Sequence, residues 1–440
     1  MSLAQHSAAV AVAEYPGVSG RLIGGVTGRE DLAAYRATGG YADVADAEAL
    51  LTDVDAAALR GRGGAAFPTA VKIRTVREGR DVPVAVANGE EGEPTSVKDR
   101  WLLRHRPHLV LDGLRLAALL TGAEEVHVYV SDEPSADSVR DAAQELRGAG
   151  IWDLPVGVTV VDPTYVAGEE TAAVQVLNGG PALPTDKPPR PFEEGVHGRP
   201  TLVSNVETLA NLPLIARLGS DGYRAHGPAA APGTFLLTLS GTASTGLYEV
   251  PLGVTLTQVA EWLGDDVSSA AGVLVGGYFS GVLGPEALDV PLDYDSLKAA
   301  HSGLGAGAMV VLSAGTCPIA VSAAVLAYFD RENAGQCGSC FNGVAAMSAV
   351  TSALRDQRAE QADVERLRDW SVRLRGRGAC GTLDGATNVA AAVLREFPGE
   401  VETHLAGACP ICAADAGALP ERPYEVSVPG VGENVGEAQS

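Results

Sequence analysis

The sequence predicts an α/β fold in its first half, because short apolar strands alternate with helices. Val82–Ala87 and Val126–Val130 have the composition of buried strands, and Pro107–Leu120 and Ser138–Arg147 that of helices between or after them. This alternation places the strands in a largely parallel, layered sheet. Two later changes in residue pattern predict a small α+β domain and then a helical bundle.

The first two predicted regions form one unit. Residues 1–60 are rich in alanine and predict a helical segment, with a helix around Asp43–Leu59, that packs on the α/β domain. The α/β domain itself is predicted over residues 61–230 and includes a strand at Val156–Val161. A crossing over residues 178–200 is too rich in proline for regular structure.

Residues 231–315 are predicted to form the small α+β domain. Strand patterns at Thr234–Gly241 and Gly246–Val250 are followed by a short helix, Leu256–Leu263, and an apolar strand, Gly272–Val275. A hairpin followed by a helix and a further strand makes a compact unit of its own.

Residues 316–405 have the periodicity of a helical bundle, and residues 406–440 are predicted to form a flexible tail containing a Cys-x-x-Cys pair. The predicted bundle helices are Ile319–Arg331, Val344–Leu354, Ala359–Arg375 and Ala386–Phe397. The tail is rich in proline, glycine and glutamate, so we expect it to be loosely ordered.

Composition excludes several classes of function. The 440 residues carry a formal net charge of −23, which opposes binding to nucleic acid and to anionic membranes. The uncharged stretch from Gly303 to Phe329 has the length of a membrane span, but the turn sequence Ser313–Pro318 divides it into a strand and a helix. With no secretory signal visible, we expect a cytoplasmic protein with no direct membrane insertion.

A glycine cluster at Gly61–Gly64 is the first candidate binding site. Glycines let backbone N–H groups approach a phosphate closely, and the cluster carries one cation, Arg62. A helix begun at Pro68 would direct Lys72 back toward the same phosphate. A glycine turn without a ligand is the alternative interpretation.

Two acidic loops follow predicted strands. Asn88–Pro94 follows Val82–Ala87 and holds three glutamates, and Tyr165–Thr171 follows the strand that ends at Val161. The carboxyl ends of strands are where ligands bind in α/β sheets, and carboxylates accept hydrogen bonds from ribose or flavin groups. A solvated turn is the alternative for either loop.

These motifs together resemble one family of redox proteins. They are Gly61–Ala65, Asn88–Pro94 with Lys98-Asp99-Arg100, Gly168–Thr171, Asn205–Thr208 and Gly335–Cys337. The chain resembles the NADH-binding flavoprotein subunit of respiratory complex I and the related diaphorase subunits of NAD-linked hydrogenases and formate dehydrogenases. The similarity runs from about Gly61 to Phe397.

The resemblance implies a Rossmann-like FMN-binding domain, a ubiquitin-like β-grasp domain of the soluble-ligand-binding (SLBB) type, and a C-terminal iron–sulfur helical bundle. The residues that it assigns to FMN are Gly61, Arg62, Gly63, Gly64, Lys72, Asn88, Glu90, Glu91, Tyr165, Gly168, Glu169, Asn205 and Thr208. The residues that it assigns to NAD(P)H are Phe67, Glu93, Glu170, Lys187 and Arg190.

The implied activity is NAD(P)H oxidation through FMN, with electrons passed to a ferredoxin-like or iron–sulfur partner subunit. Hydride transfer from nicotinamide to flavin needs positioning rather than an acid or base, so Glu93 and Glu170 are expected to orient the reactants. Two alternatives are a non-catalytic scaffold subunit that retains the fold and a flavin reductase of a small acceptor without a cluster.

The sequence departs from the family pattern where the adenine would bind. Thr75 and Arg190 stand at the positions of aromatic residues in the family, and Glu90 stands where the family usually has aspartate. Because a guanidinium can contact a 2′-phosphate, Arg190 makes NADPH an alternative to NADH.

A second departure affects the metal site. Cys337, Cys340 and Cys380 match three ligands of the family's [4Fe–4S] cluster, whereas Ala334 stands at the first ligand position. A cubane needs one ligand per iron. Cys409 or Cys412 is therefore considered as the fourth ligand. The alternatives are a site-differentiated [4Fe–4S] cluster, a [3Fe–4S] cluster, a three-cysteine zinc site and no metal.

Two other potential ligands are not assigned to the cluster. Cys317 precedes Ala334 by 17 residues at the start of a predicted helix, too far away to complete the cluster. His404, like His127 and His197, shows no spacing that indicates a metal site.

Overall fold

The computed structural model describes residues 10–413 and 419–428. The strands are β1 Ala11–Glu14, β2 Val84–Asn88, β3 Glu125–Val130, β4 Val156–Val160, β5 Thr201–Asn205, β6 Thr234–Ser240, β7 Gly246–Pro251, β8 Gly272–Val275, β9 Val282–Leu283 and β10 Ala308–Leu312. The first eight helices are α1 Leu32–Ala37, α2 Ala47–Ala56, α3 Thr69–Arg77, α4 Lys98–His105, α5 Pro107–Thr121, α6 Glu133–Gly148, α7 Glu170–Leu177 and α8 Val206–Tyr223. The others are α9 Leu256–Leu263, α10 Tyr294–Ala299, α11 Pro318–Glu332, α12 Gly338–Arg355, α13 Gln361–Arg373, α14 Thr382–Glu396, α15 Pro398–Leu405 and α16 Pro410–Ala413.

The predicted α/β region contains a parallel four-stranded sheet in the order β4-β3-β2-β5. Strand β2 is apolar from Val84 to Ala87 because both faces of the sheet are covered. Ala85 and Ala87 lie in the core shared with α5 and α8, whereas Val84 and Val86 pack toward α7. Strand β2 therefore carries its one polar side chain, Asn88, at its carboxyl end.

The N-terminal segment is not purely helical, in contrast to the prediction for residues 1–60. Strand β1 pairs in parallel with β7, with Ala11 opposite Gly246, and so extends the second sheet. Helices α1 and α2 pack on the helices of the α/β region. The segment therefore links the two sheets, and residues 1–9 lie outside the described ranges.

The second sheet has six strands in the order β1-β7-β6-β10-β8-β9. Strands β6 and β7 form the antiparallel hairpin that the sequence predicts, and β10 pairs in parallel with β6. Helix α9 covers one face through Val259 and begins at a capping box of Thr255 and Gln258. The loop of this region at Gly277–Tyr278 approaches the first sheet and helps to form the candidate site described below.

Helices α11 to α15 pack around one apolar core, which includes Phe329, Met347 and Val389. Proline at the first position of α11 ends the turn that divides the uncharged stretch Gly303–Phe329 into strand β10 and this helix. None of the helices in the described part of the chain is long and apolar enough to cross a membrane.

The C-terminal region is more ordered than predicted. Cys409 and Val426 are both buried. The Val426 N–H donates to the Pro94 carbonyl at 3.0 Å, and the Tyr278 hydroxyl donates to the Pro423 carbonyl at 2.5 Å. The burial of Cys409 and Val426 holds this segment against the rest of the protein. The rest of the predicted tail, residues 414–418 and 429–440, lies outside the described ranges.

Candidate functional site

The candidate site begins at the carboxyl ends of β2 and β5. Asn88 and Asn205 are the last residues of these strands and lie opposite each other in the register. The Asn88 side chain donates to the Gly168 carbonyl at 2.9 Å. The three sequence motifs that contain these residues therefore meet at one edge of the sheet, where α/β proteins bind their ligands.

The Gly61–Phe67 segment forms a closed loop beside this edge. Its ends are joined by the hydrogen bond from the Gly61 N–H to the Phe67 carbonyl, 2.9 Å long, and Gly63 and Gly64 between them are exposed. Gly64 has φ +103°, and a Cβ at Gly63 would lie 3.2 Å from the Asn205 Cβ. Glycine at both positions thus allows the loop backbone to lie against the strand end. Phe67 is 50% exposed at the rim of the loop.

Arg62 does not face a phosphate site, which corrects the sequence-based role of its side chain. The guanidinium is buried and donates to the Tyr294 hydroxyl at 2.6 Å and to the Thr234 carbonyl at 3.0 Å. Its Nε lies 3.9 Å from a carboxylate oxygen of Glu207. The pKa of Arg62 is raised, because the surrounding phenol and carboxylate groups outweigh the effect of burial. The side chain joins the two sheets, so only the loop backbone faces outward.

Thr208 and Asn205 hold the glycine loop in position. The Thr208 hydroxyl accepts a hydrogen bond from the Arg62 backbone N–H at 2.8 Å. Asn205 caps α8 by accepting from the Glu207 N–H at 3.0 Å. Both side chains are therefore committed to the protein and support the site from beneath.

The Asn88–Pro94 and Tyr165–Gly168 loops pack against each other. A Cβ at Gly168 would lie 2.4 Å from Glu90 Oε2, and this oxygen accepts from the Gly92 N–H at 3.1 Å. Burial raises the pKa of Glu90 well above its ordinary value. Glu90 Oε1 is buried without a hydrogen-bond partner in the structure. A buried oxygen of this kind suits a ligand N–H or hydroxyl.

Glu91 and Glu93 face different neighbours. The Glu91 carboxylate accepts from the Ser96 hydroxyl at 2.6 Å and from the Asp99 and Arg100 N–H groups, so it caps the start of α4. Its predicted contact with flavin is thus replaced by a supporting role. Glu93 accepts from the Thr95 hydroxyl at 2.7 Å. Burial raises its pKa to about 7.

Two lysines and two glutamates form a charged row along the same edge. Lys72 Nζ donates to the Val203 carbonyl at 2.7 Å and lies 3.3 Å from a Glu170 oxygen. Lys187 pairs with Glu169 and lies 3.6 Å from the other Glu170 oxygen. These side chains are only partly buried, so a ligand can reach their charged ends.

A buried cluster to which the sequence analysis assigned no role lies behind this row. Lys98 Nζ is 2.7 Å from an Asp99 oxygen and 3.0 Å from a Glu207 oxygen. Although burial alone would lower the pKa of Lys98, these carboxylates raise it. The other Asp99 oxygen accepts from the Asn205 amide at 2.7 Å. The cluster fixes the strand end that carries Asn205, and the Lys98-Asp99-Arg100 motif was its sequence signal.

Tyr165 connects the Tyr165–Gly168 loop, at the edge of the first sheet, to the C-terminal helices. Its ring lies 5.0 Å, centroid to centroid, from Phe329 of α11, and its N–H donates to a Glu332 oxygen at 3.2 Å. Burial raises its pKa well above the ordinary value, and Glu93 and Cys380 add to this effect. The aromatic side chain therefore lies between the sheet edge and the cysteines.

Cys337, Cys340 and Cys380 lie together at the start of α12 and the loop before α14. The Ala379 N–H donates to the Cys337 sulfur at 3.4 Å. Burial, with contributions from the other two thiols, raises the pKa of Cys340 to about 12. Such mutual influence between thiols is expected where several cysteines share one metal group. Ala334 offers no ligand atom.

Cys409 and Cys412 do not complete this group, which corrects that sequence-based alternative. Their sulfur atoms lie with Cys317 and His404, at the opposite end of helix α11 from Cys337. The helix has 15 residues and is therefore about 22 Å long. His404, for which no role was predicted, belongs to this second group. Its contact with Cys317 spans 87 residues, but its position five residues before Cys409 in the Cys-x-x-Cys pair was a local spacing signal that could have found it.

An open pocket of about 490 Å³ lies between two residues that the sequence assigns to NAD(P)H, Lys187 and Arg190, and the first cysteine group. Its lining includes Lys187 and Arg190 as well as Cys337 and Cys380, together with the carboxylates of Asp186 and Asp384. Arg190 is exposed, and its backbone N–H donates to Glu193 at 2.9 Å. Thr75 lies on α3 with its hydroxyl donated to the Val71 carbonyl.

The residues present fit FMN and, in part, an iron–sulfur cluster. The exposed Gly63–Gly64 backbone, the Lys72 amine and the unpartnered Glu90 oxygen supply the donors and acceptor that a phosphate and a flavin ring require. The three thiols would supply ligands to three irons of a cluster, and Ala334 would supply none to the fourth.

Comparison with known proteins identifies the family. A profile described as the Nuo51 FMN-binding domain matches residues 54–214, and one described as the NADH-ubiquinone oxidoreductase-F iron-sulfur binding region matches residues 320–404. An NADH-quinone oxidoreductase F subunit of Rhizobium meliloti is 34% identical over 397 residues, covering 85% of this chain and 94% of the relative. The chain belongs to the family of NADH-quinone oxidoreductase F subunits.

Two further relatives of this chain extend the comparison. NADP-reducing hydrogenase subunit HndC of Solidesulfovibrio fructosivorans is 31% identical, covering 79% of this chain and 74% of the relative. The crystal structure of an air-oxidised NAD⁺-reducing [NiFe]-hydrogenase has a chain that is 32% identical with a TM-score of 0.75. That similarity covers 82% of the present chain and 63% of the hydrogenase chain. The family resemblance inferred from the motifs is confirmed.

Proposed function

We propose that the protein is an FMN-dependent NAD(P)H oxidoreductase that passes electrons to an iron–sulfur partner. The observation that carries this function is the shared pocket, since Lys187 and Arg190 line the same space as Cys337 and Cys380. A dinucleotide held by the basic residues would lie close to a redox centre held by the thiols. The relatives named above support the same assignment.

FMN, when bound, supplies the chemistry that accepts a hydride and releases electrons singly. The residues of this chain bind and orient. The Gly63–Gly64 backbone and Lys72 would hold the phosphate, and Glu90 Oε1 would accept from the flavin ring. Asn88 and Gly168 form the edge against which the ring would rest. These groups keep the cofactor at the carboxyl end of the sheet.

The NAD(P)H side of the site is proposed to use Phe67, Glu93, Glu170, Lys187 and Arg190. The exposed Phe67 ring offers a stacking surface at the rim, and Glu170 lies between two lysines that fix its orientation. The main experiment on this side compares NADH and NADPH kinetically. A preference for NADH above about tenfold, or about 1.4 kcal/mol, would exclude a 2′-phosphate role for Arg190.

We further propose that four parts of the chain have different roles. Residues 1–60 form a connecting segment, and residues 61–230 form the domain that binds FMN and NAD(P)H. Residues 231–315 form an SLBB-type β-grasp domain, and residues 316–405 form the iron–sulfur bundle. The hairpin, helix α9 and parallel strand β10 support the β-grasp assignment. The location is proposed to be cytoplasmic, with a ferredoxin-like or iron–sulfur protein as electron acceptor.

Ala334 favours a second candidate function, a flavin reductase of a small acceptor that has no cluster. The two are distinguished by anaerobic purification, followed by flavin, iron and sulfide analysis and by EPR after reduction with NAD(P)H. Flavin with iron and a reducible EPR signal supports the electron-transfer function. Flavin without iron supports the second candidate, and a protein without flavin is a scaffold.

A further inference from the structure

A second group of potential metal ligands lies at the far end of the helical region from the pocket. Cys317, His404, Cys409 and Cys412 each offer one ligand atom, and all four atoms lie within 4.8 Å of one another. The His404 Nε2 is 3.5 Å from the Cys317 sulfur and 3.3 Å from the Cys412 sulfur. Three of these residues are buried and Cys412 is partly buried.

The spacing of these atoms decides how many metal ions they can share. Ligands at about 2.0–2.3 Å from one tetrahedral ion lie about 3.3–3.8 Å from each other, which agrees with the two distances above. The ligands of an iron–sulfur cubane each bind a different iron and must be farther apart. The geometry therefore fits a single ion.

Neighbouring groups orient the four ligands before any metal binds. His404 Nδ1 lies 2.7 Å from the Glu400 carbonyl, so this nitrogen carries the proton and Nε2 faces the three sulfurs. Gln357 holds the Cys409 backbone from both sides, accepting from its N–H at 3.0 Å and donating to its carbonyl at 3.2 Å. Such support is typical of metal sites rather than of a chance cluster of thiols.

We propose that Cys317, His404, Cys409 and Cys412 bind one zinc ion as a structural Cys₃His site. Three thiolates and one imidazole are a common ligand set for structural zinc, and four protein ligands leave no open position for catalysis. Binding would release the protons of the three thiols. The three cysteines lie outside residues 320–404, which the iron–sulfur profile matches, and His404 is the last residue of that range. The site therefore lies at the edge of the profile and shares no ligand with Cys337, Cys340 and Cys380.

The zinc site would fasten the C-terminal region to the start of the helical region. Cys317 is the N-cap residue of α11, at the end of the turn that follows strand β10, whereas Cys409 precedes α16 and Cys412 lies within it. Farther along the chain, residues 419–428 cross to the candidate site, where the Val426 N–H donates to the Pro94 carbonyl. Zinc would thus anchor the segment that covers the Asn88–Pro94 loop.

The test begins with the full-length wild-type protein, purified anaerobically without chelators and titrated with Zn²⁺. One tightly bound zinc per chain is expected, with an X-ray absorption spectrum of about three sulfurs at 2.3 Å and one nitrogen at 2.0–2.1 Å. This measurement needs no variant, so a folding defect cannot obscure it. A wild-type protein that neither contains nor takes up zinc, or a spectrum without sulfur ligands, would overturn the proposal.

Two matched variants then separate this site from the cluster site. Cys412→Ser should lower zinc content, leave iron and FMN content unchanged and speed proteolysis within the C-terminal segment. Cys340→Ser should lower iron and leave zinc unchanged. Loss of zinc in Cys340→Ser but not in Cys412→Ser would assign the ion to the other cysteines and refute the site.

Discussion

The carboxylate of Glu93 accepts a hydrogen bond from the backbone N–H of Tyr278, with 2.9 Å between oxygen and nitrogen. This bond joins the loop after β2 to the second sheet. The neighbouring residue must be glycine, because a Cβ at Gly277 would lie 2.5 Å from the Glu93 carboxyl and φ there is +81°. A residue proposed to face the dinucleotide therefore also holds two parts of the fold together.

The pH dependence of stability tests this contact. Burial raises the pKa of Glu93 from 4.5 to about 7. Between these values the unfolded chain loses the proton and the folded chain keeps it, so the free energy of unfolding falls as pH rises. Below pH 4.5 and above about pH 7, Glu93 does not contribute to the pH dependence of the free energy of unfolding.

Glu93→Gln should remove this contribution, so the variant should gain stability relative to wild type as pH rises through the same window. Urea denaturation of both proteins at several pH values measures the difference, which cancels the effect of other buried carboxyls such as Glu90. Glu365→Gln, on the exposed face of α13, removes a charge without removing a buried carboxyl and is the control. If the free energies of unfolding of Glu93→Gln and wild type change with pH in parallel, the prediction is contradicted.

The sequence could predict the elements that local pattern determines. Strand β2 and the acidic loop at its end follow from an apolar run bounded by polar residues, and the glycine loop follows from composition. The direction of the Arg62 side chain could not be predicted in this way. It depends on Tyr294 and Thr234, more than 170 residues away, because a buried guanidinium turns toward whichever acceptors the fold supplies.

The same dependence on contacts between distant residues explains why the pairing of Cys317 with His404, two of the proposed zinc ligands, was not predicted. Cys317 and His404 have no mutual spacing signal, since the packing of α15 against α11 brings them together. Strand β1 has only four residues and ends at the polar Glu14, so its pairing with β7 comes from tertiary contact rather than local preference.

Lys72 is expected to bind the flavin phosphate, whereas Arg62 is expected to stabilise the folded protein. Lys72→Ala should weaken FMN binding about 10- to 100-fold, because it removes a charge-assisted hydrogen bond of about 1.5–3 kcal/mol. The melting temperature of the flavin-free protein should change little. Fluorescence titration with FMN measures the affinity, and Lys72→Arg, which keeps the charge, is the control. Unchanged FMN affinity in Lys72→Ala would remove this lysine from the phosphate site.

Arg62→Ala should instead lower the free energy of unfolding by about 3–5 kcal/mol, because it leaves Glu207 with one fewer partner in a buried ion-pair cluster. Urea denaturation of the flavin-free protein measures this effect. Arg62→Lys keeps the charge but loses the bonds to Tyr294 and Thr234, so an intermediate loss is expected. A wild-type unfolding free energy in Arg62→Ala, with FMN binding abolished, would restore the phosphate role.

Thr208 connects the glycine loop to helix α8. Thr208→Val keeps the shape but removes the acceptor of the Arg62 N–H, so the free energy of unfolding should fall by about 1–3 kcal/mol. FMN affinity should also fall, because the exposed Gly63–Gly64 backbone loses its support. Thr208→Ser retains the hydroxyl and should bind FMN like wild type. Equal FMN affinity of the valine and serine variants would show that this bond does not position the loop.

Ala334 determines how many irons the first cysteine group can hold with protein ligands. The residue is partly buried in the turn before Cys337, where the Gly335 N–H donates to the Asn333 side chain at 2.9 Å. A cysteine there would restore the spacing of the family motif. Ala334→Cys should therefore raise iron content toward four per chain and stabilise the cluster against oxygen.

Iron and sulfide analysis with EPR before and after reduction measures this change. Ala353→Cys adds a thiol on α12, about 20 Å along the helix from Cys340, and should leave iron content unchanged. Zinc content should be the same in both variants, since the second ligand group is untouched. If Ala334→Cys binds no more iron than Ala353→Cys, the three thiols do not form a cluster site that lacks only its fourth ligand.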